Sequence, residues 1–460
     1  MMAVEIHQLS NTERTTKITE KFLEYSKQKP EFYVRVPGRV NLIGEHIDYC
    51  GYGVCPMALE QDIFLAVGTR NDKKLILHNT DEKFESFYDT LDDIEINLND
   101  STPKWFQYFL CGLKGVLETV TEDKKHQLKG LEVVVDGTVP QSAGLSSSSA
   151  LVSAAALAAS HCFNLSLTKD ELADLCAKCE QYIGTQGGGM DQAIAFLANE
   201  GSAKLIEFEP LRSTEVKLPQ GAVFVIAHSL TNLNKAATAD YNCRVVECRL
   251  GAQVIAKKQG LDWTKIKRLG DVQKALNLNL DDMIVLTTNC LRETPYSKED
   301  VIKELNTTSS LLDMVSLTPN TRNLNSFKLL QRALHVFNEA KRVQEFHKTC
   351  QEDFSGESAL ITLGKLMSES HDSLKNLYEC SHQQLDRIVD LAKRYTLGTR
   401  LTGAGWGGCT ISLLTADNVE NFKQFLIDNY YKPLGVTDNY ESVIFNTTPK
   451  RGACIYLPNF

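Results

Sequence analysis

Four side chains with strong hydrogen-bonding capacity, those of Arg39, Glu45, His46 and Asp48, lie within ten positions near the start of the chain. Prolines and glycines surround them, and such residues bend a backbone and let it come close to a bound molecule. Two carboxylates and an imidazole suit the fixed hydroxyls of a sugar, because each carboxylate accepts hydrogen bonds on two oxygens. Zinc is the competing ligand, but a zinc site needs a second histidine or cysteine at ligand spacing, and the nearby cysteines are poor candidates. The segment therefore predicts a site for a small polar molecule.

A second segment, VPQSAGLSSSSAL at residues 139–151, runs from a predicted strand through a Gly/Ser turn into an Ala-rich predicted helix. The free N–H groups and the positive dipole end of a helix start favour an anion there. The hydroxyls of residues 146–149 suit phosphate oxygens or a Mg²⁺ ion. A Walker A loop is excluded, because G-x-x-x-x-G-K-[ST] does not occur in the chain. A serine-rich helix cap with no ligand is the alternative interpretation.

Two carboxylates, Glu180 and Asp191, flank a triple glycine at residues 187–189. The glycines leave space for a ligand beside the backbone, and the apolar segment that follows would hold Asp191 in place. A carboxylate in such a position can serve as a general base. The alternative is a surface aspartate that caps the next helix.

The segment RLTGAGWGGCTISLL, residues 400–414, satisfies the pattern G-x-G-x-x-G at Gly403, Gly405 and Gly408. A dinucleotide site would need a strand before this pattern and a helix after it. Here a strand is predicted to follow. The segment therefore indicates a loop that covers a ligand or supports a neighbouring loop.

The composition limits the function classes that remain. The chain has 460 residues, 43% hydrophobic and 23% charged, which is typical of a globular protein of about two or three domains. A net charge of -9 argues against a nucleic-acid partner. Thirteen scattered cysteines indicate free thiols in a reducing compartment. We find neither a signal peptide nor an apolar run of membrane-spanning length, so we expect a cytoplasmic protein without a membrane partner.

Strands and helices alternate along the chain, and the segments described above lie at turns between them. Apolar patterning predicts helices over residues 13–28, 104–120 and 241–258, and a largely helical region over residues 260–375. Strands are predicted over residues 32–38, 63–70, 74–80, 130–140 and 222–229. Thr168 and Glu171 form a capping-box signature that opens a further helix. The sequence therefore predicts an α+β fold.

Together these segments resemble the GHMP small-molecule kinase family, which groups galactokinase, homoserine kinase, mevalonate kinase and phosphomevalonate kinase. GRVNLIGEHIDY (38–49) is similar to the galactokinase signature, GLSSSSAL (144–151) to the phosphate-binding motif and LTGAGWGGC (401–409) to the third motif. The resemblance runs from about residue 30 to the C-terminus. Within the family, five further segments are most similar to kinases of N-acetylgalactosamine: EHIDYCGY, LCGLKG, YIGTQGGGMDQ, AKLIEFEPLR and NKAAT.

The resemblance implies a two-domain fold with mixed and antiparallel sheets and an active site at the domain seam. Residues 1–184 would form the N-terminal domain, with the sugar signature and the phosphate loop, and residues 185–460 the C-terminal domain. The implied reaction transfers the γ-phosphate of ATP, with Mg²⁺, to the anomeric hydroxyl of N-acetylgalactosamine. The alternatives are a galactokinase that acts mainly on galactose and a weakly catalytic sensor of sugar and ATP. A monomer is expected.

The resemblance also implies the role of each site residue. Asp191 would be the catalytic carboxylate that faces the anomeric hydroxyl, and Arg39 would neutralise charge beside it and keep it ionised. The residues implied in sugar binding are Arg39, Glu45, His46, Asp48, Gly188, Asp191 and Tyr241. The residues implied in ATP binding are Gly144, Ser146, Ser147, Ser148, Asn234 and Lys235. Glu180 and Ser148 would hold Mg²⁺. Related kinases often carry Gly in place of Ser146, although galactokinase-type members also carry Ser.

Overall fold

The computed structural model describes residues 2–92, 94–98, 102–125, 128–231, 239–352 and 356–459. In these ranges the chain forms thirteen strands and fifteen α-helices. The strands are β1 Glu5–Gln8, β2 Phe32–Ile43, β3 Cys55–Arg70, β4 Lys74–Asn79, β5 Phe87–Thr90, β6 Gly130–Gly137, β7 Ala203–Glu207, β8 Arg212–Val216, β9 Val223–His228, β10 Gly398–Thr402, β11 Cys409–Leu414, β12 Ile444–Thr447 and β13 Cys454–Leu457. The helices are α1 Glu13–Ser26, α2 Trp105–Thr119, α3 Glu122–Lys125, α4 Ser147–Cys162, α5 Lys169–Cys179, α6 Met190–Leu197, α7 Asp240–Lys258, α8 Leu269–Leu276, α9 Leu280–Cys290, α10 Lys298–Leu305, α11 Ser309–Val315, α12 Leu329–Glu352, α13 Glu357–Ser373, α14 Gln383–Ala392 and α15 Val419–Leu426. The predicted α+β class is confirmed.

The larger sheet is mixed and has seven strands in the order β1-β13-β2-β3-β6-β4-β5. The pairs β1–β13 and β4–β6 are parallel, and the other neighbours are antiparallel. Strand β2 is buried along nearly its whole length, including its polar residues Arg39 and Asn41. Its register against β3 shifts between Pro37 and Arg39 and again between Asn41 and Ile43. Such irregularities re-aim side chains, and these two flank the part of β2 that carries Arg39.

Helix α4 packs against β2 and β3 and brings its N-terminus to the end of the turn that follows β6. The helix is buried on all sides over residues 149–160, because its alanines allow close packing against α2. The capping box that opens α5 is confirmed: Thr168 accepts from the backbone N–H of Glu171, and the Glu171 side chain accepts from the backbone N–H of Thr168.

The second sheet is antiparallel, with four strands in the order β10-β11-β9-β12, and β7 and β8 form a separate hairpin. The predicted helical region is confirmed as α8 to α13, which share one hydrophobic core with α7 and the second half of β2. The pattern G-x-G-x-x-G lies between β10 and β11, so it has a strand on each side and does not form a dinucleotide site.

The proposed division at residue 184 stays a prediction. Two segments beyond it pack on the larger sheet: strand β13 pairs with β1 and β2, and helix α6 contacts β2 and α4. Within the described residues, we find no helix both long and apolar enough to cross a membrane.

Candidate active site

Arg39 and Asp191 form a buried ion pair that joins two distant segments of the chain. Arg39 lies on β2 and Asp191 in the first turn of α6, and Arg39 Nε donates to Asp191 Oδ1 at 2.7 Å. Arg39 Nη1 donates to the carbonyl oxygen of Gly144 at 2.5 Å. Burial lowers the pKa of a guanidinium, but Asp191 and Glu45 outweigh it, so the pKa of Arg39 lies above its ordinary value. One permanent cation therefore connects the carboxylate of α6 with the loop before α4.

Ser149 connects this carboxylate with Glu180. Its hydroxyl donates to Glu180 Oε1 and lies 3.3 Å from Asp191 Oδ2, so one proton serves two carboxylates. The serine run is recognisable in the sequence, where Ser148 is the serine predicted to bind the metal. In the structure, Ser148 lines the same cavity as Glu180, whereas Ser149 lies buried beneath it. The rotation of the first turn of α4 determines which serine faces the cavity. The composition of the serine run alone does not show this rotation.

Two cavities meet at Arg39. The large cavity has a volume of about 320 Å³ and extends from the turn before α4 to the aromatic residues Phe84, Trp105 and Tyr108. The small cavity lies on the other side of Arg39, against the glycine turn and α6. Arg39, Glu180 and Ala404 line both. The two cavities therefore adjoin at these residues, and Asp191 lines the small one.

The structure brings most of the predicted site residues together. The predicted sugar-binding residues that line the small cavity are Arg39, Glu45, His46, Asp48, Gly188, Asp191 and Tyr241. The predicted nucleotide- and metal-binding residues that line the large cavity are Gly144, Ser146, Ser147, Ser148 and Glu180. Asn234 and Lys235 lie outside the described residues. The roles of these residues stay predictions, but their grouping into two adjoining sets matches the roles that the resemblance implied.

Both ring nitrogens of His46 contact protein groups. Nε2 lies 2.9 Å from the carbonyl oxygen of Ala404 and must donate to it. In the neutral ring Nδ1 then accepts from the hydroxyl of Tyr49, at 2.7 Å, and the Tyr49 hydroxyl lies 2.6 Å from that of Tyr378. These hydrogen bonds orient the His46 imidazole at the wall of the small cavity, and the bond to Ala404 connects it to the third motif. Tyr49 and Tyr378 were missed by sequence reasoning, which had no signal for the position of Tyr378.

The third motif packs directly on the turn before α4. Gly144 has φ +73°, and a Cβ there would lie 2.8 Å from the carbonyl oxygen of Thr402. Gly403 has φ +83°, and a Cβ there would lie 2.5 Å from the carbonyl oxygen of Gly144. Both positions therefore need glycine for the contact and for the left-handed backbone. The prediction that this motif supports a neighbouring loop fits the contact.

Two buried histidines next to the site make stability depend on pH. Burial lowers the pKa of His335 and of His371 from 6.5 to about 4 in each case. Both are neutral in the folded protein at neutral pH, whereas the unfolded chain gains their protons as the pH falls below 6.5. We therefore expect the free energy of unfolding to fall between pH 6.5 and about pH 4, by up to about 3 kcal/mol per histidine. Urea unfolding across this interval measures the effect, and His371→Gln should make the dependence less steep, because His335 then remains as the other buried histidine of the pair. If the free energy of unfolding of His371→Gln depends on pH as steeply as that of the wild type, the lowered pKa of His371 is contradicted.

Three family models match the chain. The Galactokinase galactose-binding signature covers residues 20–69, the GHMP kinases N terminal domain residues 111–199 and the GHMP kinases C terminal model residues 354–432. The first match contains the cluster from Arg39 to Asp48, and the second contains the phosphate-loop candidates with Glu180 and Asp191. The matched segments therefore include most of the lining of both cavities, whereas Phe84, Trp105 and Tyr108 of the large cavity and Tyr241 of the small cavity lie outside them.

Whole-length relatives agree with these matches. The chain is 41% identical to a galactokinase of Dictyostelium discoideum over 97% of its length and 94% of that protein. It is 34% identical to a galactokinase of Saccharomyces cerevisiae over 96% of its length and 95% of that protein. Among solved structures, the Lactococcus lactis galactokinase complexed with galactose matches with a TM-score of 0.75 and 25% identity, over 96% of this chain and 99% of that one.

The paired cavities, the matched signature and relatives of this identity and coverage lead to one conclusion. The chain belongs to the galactokinase subfamily of the GHMP kinases and is an ATP-dependent sugar kinase of the galactokinase type.

Proposed function

We propose that the protein transfers the γ-phosphate of MgATP to the anomeric hydroxyl of galactose. The observation that carries the proposal is the Arg39–Asp191 pair at the junction of two cavities, one walled by the start of α4 and the other by a cluster of hydroxyl-binding groups. The sequence motifs favoured N-acetylgalactosamine as the substrate. The relatives named above are all galactokinases, so galactose replaces N-acetylgalactosamine as the first candidate. N-acetylgalactosamine stays the second candidate, favoured by segments such as YIGTQGGGMDQ.

ATP would bind with its phosphates at the start of α4. This helix has 16 residues, and the turn before it contributes the backbone of residues 144–146 and the hydroxyls of the serines that line the large cavity. Free N–H groups and the helix dipole favour an anion there, despite a net charge of -9 for the whole chain. The aromatic residues at the far end of the large cavity suit the flat face of the base.

Asp191 would act on the sugar hydroxyl that attacks the phosphorus. The carboxylate accepts the proton of this hydroxyl, or orients it, as the new P–O bond forms and the bond to the leaving ADP breaks. Arg39 holds Asp191 and supplies positive charge where the two ligands meet. Phosphoryl transfer depends mainly on such positioning and charge stabilisation.

Glu180 and Ser148 would hold Mg²⁺ at the edge of the large cavity. A carboxylate and a hydroxyl are oxygen donors of the kind that Mg²⁺ prefers, and the ion usually takes only one or two protein carboxylates beside phosphate oxygens. Bound Mg²⁺ would neutralise charge on the polyphosphate.

All thirteen cysteines, each within the described residues, are free thiols, which supports our proposal of a cytoplasmic location.

The proposal is tested by the release of ADP from MgATP with galactose and with N-acetylgalactosamine in parallel. A higher kcat/KM for galactose would support the proposal. A higher kcat/KM for N-acetylgalactosamine would keep the mechanism and overturn the substrate. Binding of both sugars without release of ADP would contradict an enzyme and indicate a sensor.

The contact between the third motif and the phosphate loop gives a separate prediction. Gly403→Ala places a methyl group against Gly144, and overpacking of this kind costs about 1–3 kcal/mol. We expect the KM for ATP to rise roughly tenfold, because the loop must shift. Gly435→Ala is the matched control, since Gly435 has φ +87° and nothing lies within 4 Å of its added Cβ. Equal KM values for ATP in the two variants would contradict the prediction.

A further inference from the structure

A buried arginine, Arg400, lies behind the small cavity and binds one of its lining carboxylates. Arg400 is the third residue of β10, and its side chain is fully buried. Its Nη2 donates to Glu45 Oε2 at 2.9 Å, and its Nη1 donates to the carbonyl oxygen of Asn41 at 2.6 Å. One rigid guanidinium therefore fixes the Glu45 carboxylate relative to the strand that precedes it.

The same carboxylate oxygen has a second donor. The backbone N–H of Gly403 donates to Glu45 Oε2 at 3.0 Å. Among the described residues, the hydrogen bonds found for the Glu45 carboxylate both end on Oε2. Glu45 lines the small cavity, so Oε1 is the oxygen left for a ligand there. Two donors on one oxygen of a planar group set the direction of the other oxygen.

Side chains of helix α12 hold the backbone of Glu45. Glu339 of α12 is fully buried, and its Oε1 accepts from the backbone N–H groups of Gly44 and Glu45 at 2.9 and 3.2 Å. Arg342 Nε donates to Glu339 Oε2 at 2.7 Å. His335 Nε2 donates to the carbonyl oxygen of Glu45 at 3.1 Å. Since other groups hold the backbone of Glu45, the particular contribution of Arg400 is the orientation of the Glu45 side chain.

We propose that Arg400 is a positioning residue that aims Glu45 at one sugar hydroxyl and so sets the KM for the sugar. The inference rests on the proposed function, because it requires a sugar in the small cavity. A contact with a hydroxyl that does not react is equally strong before and during phosphoryl transfer, so its loss raises KM and leaves kcat unchanged. Arg400 lines neither cavity, which separates this role from that of Arg39.

Arg400→Lys tests the proposal, because lysine keeps the charge but lacks the fork that reaches both Glu45 and Asn41. We expect the KM for the sugar to rise roughly 10- to 100-fold, as for the loss of a charged hydrogen bond, with kcat and the KM for ATP nearly unchanged. Arg35→Lys is the matched control. Arg35 also binds a carboxylate, that of Asp62 at 2.6 Å, and backbone carbonyl oxygens, but lines neither cavity. The control should lose stability without a change in either KM.

Deoxygalactoses, each lacking one hydroxyl other than the anomeric one, separate positioning from general damage to the fold. If Arg400 aims Glu45 at one hydroxyl, Arg400→Lys should lower kcat/KM for every sugar except the analogue that lacks this hydroxyl. The same factor of loss for all analogues, or a loss confined to kcat, would overturn the proposal. If the lysine variant does not fold, Arg400→Gln, which retains one donor, is measured in the same way with the same pattern expected. A wild-type protein that phosphorylates neither galactose nor N-acetylgalactosamine would instead overturn the proposed function, and this role with it.

Discussion

Asp191→Asn is expected to reduce kcat by roughly 10²–10⁴-fold while ATP binding stays close to that of the wild type. Asparagine has nearly the same shape and still accepts from Arg39 Nε, whose partner oxygen Oδ1 lies 2.7 Å away. The variant loses the negative charge and the basic oxygen that, in the proposed reaction, would take up or orient the sugar proton. Stopped assays of ADP release measure kcat, and calorimetric titration with a non-hydrolysable ATP analogue measures binding.

Asp62→Asn is the matched control for this variant. Asp62 is also a buried aspartate bound by arginine, with Arg14 at 2.7 Å and Arg35 at 2.6 Å, but it lines neither cavity. Its loss should lower stability and leave kcat unchanged. A kcat for Asp191→Asn within about tenfold of the wild type would remove Asp191 from the catalytic role.

Arg39→Met is expected to lower both turnover and stability. Methionine fills much of the space but leaves Asp191, which is 11% exposed, without its counter-ion and the carbonyl oxygen of Gly144 without its donor. Removing one partner of a buried ion pair costs about 3–5 kcal/mol of unfolding free energy. Loss of one preorganised electrostatic contact typically lowers kcat by roughly 10²–10³-fold.

Arg39→Lys distinguishes the two effects. Lysine restores a positive charge beside Asp191 but cannot bind Asp191 and Gly144 together with the geometry of a guanidinium. We expect it to recover most of the stability and only part of kcat. Urea unfolding and steady-state kinetics on both variants measure this. A methionine variant that retains nearly all of its kcat would contradict a role for Arg39 in charge stabilisation.

The parts of the site that could be predicted are those that local sequence determines. The strand, the Gly/Ser turn and the helix around residues 139–151 follow from apolar patterning and turn residues, and together they place the start of α4 at the large cavity. Asp191 follows a triple glycine and opens α6, so its position at a helix start was also predictable. In these cases the residues that determine the geometry are neighbours in the sequence.

The parts that could not be predicted depend on contacts between distant segments. Arg400 is 355 positions from Glu45, and the sequence shows it only as an arginine shortly before a Gly-rich loop. Glu339 lies in the middle of a long helix, where a glutamate is usually exposed, yet it is fully buried and binds the backbone of Gly44 and Glu45. Glu45 was predicted to bind sugar hydroxyls, and that role stays a prediction. In the structure, Arg400 and Gly403 bind its Oε2. The fold, and not the motif, therefore decides which oxygen is left for a ligand.

The most direct test of the central claim is to identify the bond that the enzyme makes. The purified protein is incubated with MgATP and galactose, and the product is examined by phosphorus NMR coupled to protons. We predict one sugar phosphate whose phosphorus couples to the anomeric proton, because in the proposed reaction the anomeric hydroxyl would lie beside Asp191 at the junction of the two cavities. A product phosphorylated at any other hydroxyl, or ADP formed without a sugar phosphate, would contradict it.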